Sequence, residues 1–217
     1  MFRRFGLAGL ILGSACSDLA RADVFATLPF DGLTNNNADD TATGEGQMNV
    51  DVGNDIGGAL QRDNQVRFTF INLGPNASSI TDIYFDDGSL LGIAFLENDP
   101  NNVEFSQGAD PPNLPGGEMA DPPFETTLGF SADSDPPVEP LGVNPGERLG
   151  IVFDLMEGKT IPDVLDDLRT GALRIGIHVQ GFASGGSESF INIPLPEPGT
   201  FTLCLLGAAA LARRRRA

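Results

Sequence analysis

Three features of the sequence predict an all-β fold. The predicted architecture is an antiparallel β-sandwich, jelly-roll or immunoglobulin-like, with one short helix near 161–170. Apolar residues recur with a period of two through most of the chain. Turn residues interrupt that pattern at short intervals, supplied by 27 Gly and 16 Pro. One stretch alone combines helical spacing with start and stop signals. About ten short strands, many turns and one helix are the signature of a sandwich.

Each element follows from local chemistry. A first strand starts at Val24–Leu28. Residues 31–46 are polar and rich in Asn and Asp, which predicts a loop. Met48–Val52 alternates, and so does 65–73, where Val66, Phe68 and Phe70 share a face. Gly74-Pro75-Asn76 turns the chain. Ile80–Phe85 and Ser89–Phe95 flank Asp86-Asp87-Gly88, a hairpin signal. Val103–Phe105 reads as a short strand. Residues 106–147 differ, because Asp-Pro-Pro occurs three times there, at 110, 121 and 135. Prolines hold such a stretch in extended, non-helical paths. It is expected to lie as a long loop over one end of the sandwich, with Thr126–Phe130 its one strand. Arg148–Asp154 is strand again. The helix follows: Thr160 can cap it, Pro162 suits its first turn, and Asp163 holds the capping-box position. Ile161, Val164, Leu165 and Leu168 form its apolar stripe, and Gly171 ends it. Leu173–Val179 alternates with its odd positions inward, and 187–193 is the last strand.

Both ends of the chain carry processing signals. Arg3 and Arg4 precede an apolar core from Phe5 to Ala15, and Ala20-Arg21-Ala22 is a small-x-small cleavage site. That is a secretory signal peptide, residues 1–22, cut before Asp23. Lipidation at Cys16 is disfavoured because Gly13, not Leu, stands three residues before it. At the other end, 194–217, Pro196-Glu197-Pro198 is stiff and extended and leads into an apolar run from Gly199 to Ala212. That run is 14 residues, or about 21 Å as a helix, short of a hydrocarbon core of about 30 Å. Arg213, Arg214, Arg215 and Arg216 follow and act as a stop-transfer cluster on the cytoplasmic side. A short apolar tail with a basic stop suits a transmembrane helix that is held briefly and then cut away.

The order of these parts resembles the PEP-CTERM sorting signal of Gram-negative bacteria. The resemblance covers the last 22 residues or so: Pro196, Glu197, Pro198, the apolar run and the Arg cluster. It implies processing by exosortase, an integral-membrane cysteine protease, after a transient stay in the inner membrane. It also implies delivery to the cell surface or to an extracellular polysaccharide matrix. Within the body between the signals, 23–193, the region 65–193 looks like the ectodomains such proteins carry, an impression with no activity attached.

Charge and cysteine usage agree with export. Residues 23–193 hold six Lys and Arg against 28 Asp and Glu, a net charge of −22. Such an excess disfavours nucleic acid and anionic lipid as partners and favours cations. Cys16 and Cys204 both lie in removable segments, so the exported body has no disulfide. It retains 12 of the 15 Phe, enough for an apolar core in one domain.

Candidate chemistry within the body is sparse. His178 is the only His, and no Gly-x-Ser-x-Gly elbow accompanies it. It is expected on the outer face of its strand, and Ser184, Ser187 and Ser189 lie in a Gly/Ser loop pattern. With no Cys/His cluster, zinc and copper sites are unsupported. Asp39-Asp40, Asp86-Asp87 and Asp166-Asp167 are adjacent acids, which does not make the facing pair of a glycosidase. Asp86, Asp87, Asp133 and Asp135 are the candidate calcium ligands, with ordinary turn chemistry as the competing reading. Glycan platforms are poor: there is no Trp, and Tyr84 sits inside an apolar strand. The expected function is that of a non-enzymatic surface or matrix component. A calcium- or glycan-binding module is the first alternative, and a secreted hydrolase the second.

Overall fold

One strand belongs to both sheets of the sandwich. In the computed structural model, which describes residues 24–54, 64–99 and 102–196, β1 (Val24–Gly32) pairs over Val24–Pro29 with β2 (Met48–Gly53) and over Phe30–Gly32 with β10 (Glu188–Asn192). The first sheet continues from β2 through β3 (Gln65–Asn72) and β8 (Arg148–Leu155) to β5 (Leu90–Glu97). The second continues from β10 through β9 (Leu173–Gln180), β4 (Ser79–Asp87) and β7 (Ser131–Ser134) to β6 (Phe105–Gln107). All pairings are antiparallel. The two free edges approach each other where the Asn98 amide bonds the backbone N–H and C=O of Phe105 at 3.1 and 2.9 Å, so the sandwich is nearly closed. The all-β sandwich expected from alternation is therefore the observed fold.

The period of two decides which side chains meet. Leu28, Val50, Val52, Phe68, Phe70, Ile151 and Phe153 of the first sheet face Ile83, Phe85, Ile175, Ile177, Val179 and Phe190 of the second, all fully or almost fully buried. Phe85 stands edge-on to Phe68 and Phe153, with ring centroids 5.0 and 4.6 Å away. Each such side chain contributes about 1.5–3 kcal/mol relative to exposure, and each edge-to-face pair about 0.5–1.5 more.

Four local expectations are corrected by the structure. Residues 31–46 are not all loop: α1 (Ala38–Gln47) closes the end of the sandwich where β1 hands over to β2. Its amphipathic signal is weak because Gly44, not a large side chain, meets the core. A Cβ there would lie 2.1 Å from the Phe190 ring. Asp86-Asp87-Gly88 is not a hairpin turn, because β4 and β5 belong to different sheets. The chain instead crosses between layers, with positive φ at Asp87 and Gly88, so that Phe85 and Leu90 enter the core from opposite sides. Thr126–Phe130 is turn, and the strand there is β7. Finally, the proline-rich stretch does not lie over an end. Residues 108–130 cover the outer face of the second sheet, and one-turn α2 (Val138–Leu141) follows β7.

The predicted helix is present as α3 (Ile161–Thr170), closing the opposite end from α1. The Asp163 carboxylate accepts from the Thr160 amide and hydroxyl at 2.9 and 2.7 Å. Val164 and Leu168 enter the core, and Gly171 ends the helix at φ 78°. The first and last described segments meet this same end. Ile193 N–H bonds Pro29 C=O at 2.9 Å, and Leu195 N–H reaches the Leu168 carbonyl at 3.4 Å. No helix among the described residues is long and apolar enough to cross a membrane.

Candidate functional site on the outer face of the second sheet

Polar groups gather where the proline-rich strap crosses β4, β9 and β7. A bulge at Thr81 sets the phase of β4, so Ile83 and Phe85 point inward and Asp82, Tyr84 and Asp86 outward. On β9, Arg174, Gly176 and His178 share this outer face. Tyr84 is fully buried under the strap with Leu114 and Phe124, and its hydroxyl donates to the Pro111 carbonyl at 3.1 Å. Gly176 is where the strap comes closest, since a Cβ there would lie 2.7 Å from Leu114 Cδ2. Arg174 pins the strap. Its guanidinium pairs with Asp86, donates to the carbonyls of Pro122 and Pro123 at 2.5 and 2.6 Å, and lies 5.3 Å from the Phe124 ring centre. The Asp-Pro-Pro repeats thus supply carbonyls that have no helix or sheet partner, and Arg174 and Tyr84 satisfy three of them.

Asp82 and Asp133 are the electrostatic centre of this face. They oppose each other across β4 and β7, and Asp82 is 4 % exposed. Burial is the main reason the Asp82 carboxyl is pushed up to about 7, opposed by a 2.8 Å bond from Thr81 Oγ1 and reinforced by the neighbouring Asp133 charge. Burial also raises Asp133, and it raises the Tyr84 hydroxyl, with Asp82 adding to the latter. The Asp133 carboxylate on the neighbouring strand disfavours ionisation of Asp82, which adds to the effect of burial.

His178 lies opposite Asp82 on β4 and opposite Ser189 on β10, and its Nδ1 is 3.0 Å from Ser189 Oγ. A cross-strand row of Ser, His and Asp results, which sequence spacing did not reveal because the three lie on separate strands. Ser189 lies in the expected last strand, β10, and not in the loop that its Gly/Ser neighbourhood also suggests. Its hydroxyl side chain is only 1 % exposed, and Asp82 turns to Thr81 and Asp133. Burial lowers the His178 pKa, while the Glu188 charge works against that. Ser184 instead bonds the Asp40 carboxylate near α1.

The four candidate calcium ligands do not converge. Asp86 is taken by Arg174, and Asp87 stands exposed at the crossing between sheets. Asp133 faces Asp82, four strand positions and so roughly 13 Å from the Asp86 row. Asp135 lies past the end of β7, its N–H on the Glu104 carbonyl at 2.8 Å. Among the described residues no group of three or more acidic, His or Cys side chains has metal-holding geometry. Asp39-Asp40 and Asp166-Asp167 sit on α1 and α3, far from this face, and Tyr84 offers no platform for a sugar because it is buried. Pro196 is exposed beyond the last strand. Ala20, Ala22, Asp23, Glu197, Pro198 and Arg213, Arg214, Arg215 and Arg216 lie outside the described residues. Comparison with protein-family models, with curated proteins and with solved structures finds no match.

Proposed function

We propose that the chain is an exported, non-enzymatic sandwich protein, sorted by an exosortase-type membrane protease to the cell surface or an extracellular polysaccharide matrix. The observation that carries this reading is the ordered tail: Pro196-Glu197-Pro198, the apolar run, then Arg213 to Arg216, in a chain that opens with a signal-peptide pattern. The fold supports it in one way. Its last strand runs antiparallel to β1, so the described residues next to both expected processing segments lie at the α3 end. A body tethered to one membrane by both ends needs that arrangement. On the second sheet's outer face Arg174 and Tyr84 are committed to holding the strap, and the Ser189 hydroxyl beside His178 is buried, which favours a structural role over a catalytic one.

The test is processing in the producing cell. Glu197→Gln and deletion of residues 213–216 are each expected to leave a membrane-bound, uncut precursor on an immunoblot. Release of either variant at the normal rate and size refutes the reading.

A further inference from the structure

We infer that the α3 end of the sandwich is a membrane-contact surface, resting on neutral lipid headgroups while the tail holds the chain in the bilayer. The inference rests on the sorting reading above and adds an orientation to it.

Reach is the first argument. Among the described residues, the last with a contact to the fold is Leu195, whose N–H bonds Leu168 C=O at 3.4 Å and whose side chain packs on the core. The apolar run opens at Gly199. Four peptide steps span at most about 14 Å even when fully extended. Headgroups occupy about 5–8 Å of that on one side of a bilayer. The α3 end therefore cannot leave the interface while the tail is inserted. The α1 end is a strand length away, roughly 25 Å, and stays in water.

Surface chemistry is the second argument. Nine large apolar side chains are exposed among the described residues, and Val24, Phe25, Leu91, Met156 and Ile193 belong to the segments at or leading to the α3 end. Val24 and Phe25 open β1, while Leu91 and Met156 flank the start of β5 and the end of β8 on the other side of the first sheet. Leu73, by contrast, projects at the α1 end with 60 % exposure. Apolar groups on two sides of one end suit shallow insertion, which buries such groups about 5–10 Å into the headgroup boundary. Charge selects the lipid: a body of net −22 is repelled by anionic headgroups, so the contact is with neutral ones.

The absence of Trp from the chain makes the test clean. Single-Trp variants Phe25→Trp, Leu91→Trp, Leu73→Trp and Phe201→Trp of the chain lacking residues 1–22 are placed in phosphatidylcholine vesicles with brominated acyl chains. Removing the leader ensures that the tail is the only tether. Phe201→Trp reports tail insertion, and Leu73→Trp reports the far end. Phe25→Trp and Leu91→Trp are both expected to lose about half or more of their emission, whereas Leu73→Trp keeps its own. If Phe201→Trp is quenched while either Phe25→Trp or Leu91→Trp stays as bright as Leu73→Trp, the docking is overturned and the tail reading stands. If Phe201→Trp is not quenched, the tail is outside the bilayer and both fall. Should a β1 or β5 variant lose the parent circular dichroism spectrum, Met156→Trp replaces it with the same expected loss.

Discussion

Helices α1 and α3 are each ten residues long and close opposite ends of the same sandwich, yet different forces hold them. α3 brings its own instructions: an apolar stripe, a carboxylate at its start and a glycine at φ 78° after its end. α1 brings few. It contains Gly44, Gly46 and two Thr, poor helix formers all. What holds it is its surroundings. Asn37 Oδ1 accepts from the N–H groups of Asp39 and Asp40 at 2.9 and 3.4 Å. Buried Glu188 ties down the approach by accepting from Asn37 N–H at 2.7 Å and from Thr34 Oγ1 at 2.5 Å. Gln47, at its end, bonds Ser78 and the Asn76 carbonyl in a buried polar cluster. The lesson is that a helix can be specified by the socket rather than by the peg.

Four substitutions sharpen or break that contrast. The largest effect is expected for Leu168→Ala, which empties the contact of α3 with the core. It should cost about 2–5 kcal/mol in urea unfolding. A loss under 1 kcal/mol on the same scale would mean that α3 is not held by its stripe. Second, Asp82→Asn probes another group set by its socket. Its folded pKa is raised, so the protonated form stabilises the native state fully below the unfolded carboxyl range. That stability is lost as pH rises to about 7. The melting temperature of the parent is expected to fall, relative to Asp82→Asn, between roughly pH 4 and 7. Asp163 at the start of α3 has the opposite sign: Thr160 lowers its pKa, so its contribution is lost as pH falls. Parallel melting curves for parent and Asp82→Asn would remove the raised Asp82 carboxyl from the account.

Third, Gly44→Ala separates propensity from packing. An isolated helix would gain about 1 kcal/mol from it. Here the new methyl meets Phe190, and a net loss of about 1–3 kcal/mol is expected. A gain in stability would show that α1 is a self-sufficient helix after all. The smallest effect is that of Asn37→Ala, about 1 kcal/mol from the lost cap, measured by the urea midpoint at constant slope.

The same division runs through the outer face of the second sheet. That Tyr84 and His178 lie on strands was readable from alternation. That Tyr84 is buried was not, because its cover comes from a strap about thirty to forty residues away, held by Arg174 and by the missing side chain of Gly176. The proline-rich stretch announced itself as extended chain, but prolines specify a path without specifying the surface it lies on. Residue type alone groups Asp86 and Asp133 as cation ligands. The sheet register instead gave each a separate neighbour, Arg174 for one and Asp82 for the other. The Asp-Gly turn looked like a hairpin because hairpins and crossings between sheets use the same positive-φ residues. Only the partners of the flanking strands distinguish them.

Local chemistry alone determined the strand periodicity, helix α3, the acidic body without cysteine and the expected processing signals at both ends. Each depends on interactions within a few residues, or on composition, and so is written in short stretches of chain. Tertiary structure decided α1, the crossing at Asp87-Gly88, the burial of Tyr84 and the pairing of Asp82 with Asp133. Those outcomes depend on contacts between segments far apart in the chain, where burial energies outweigh local preference and the partner's identity is absent from the local pattern.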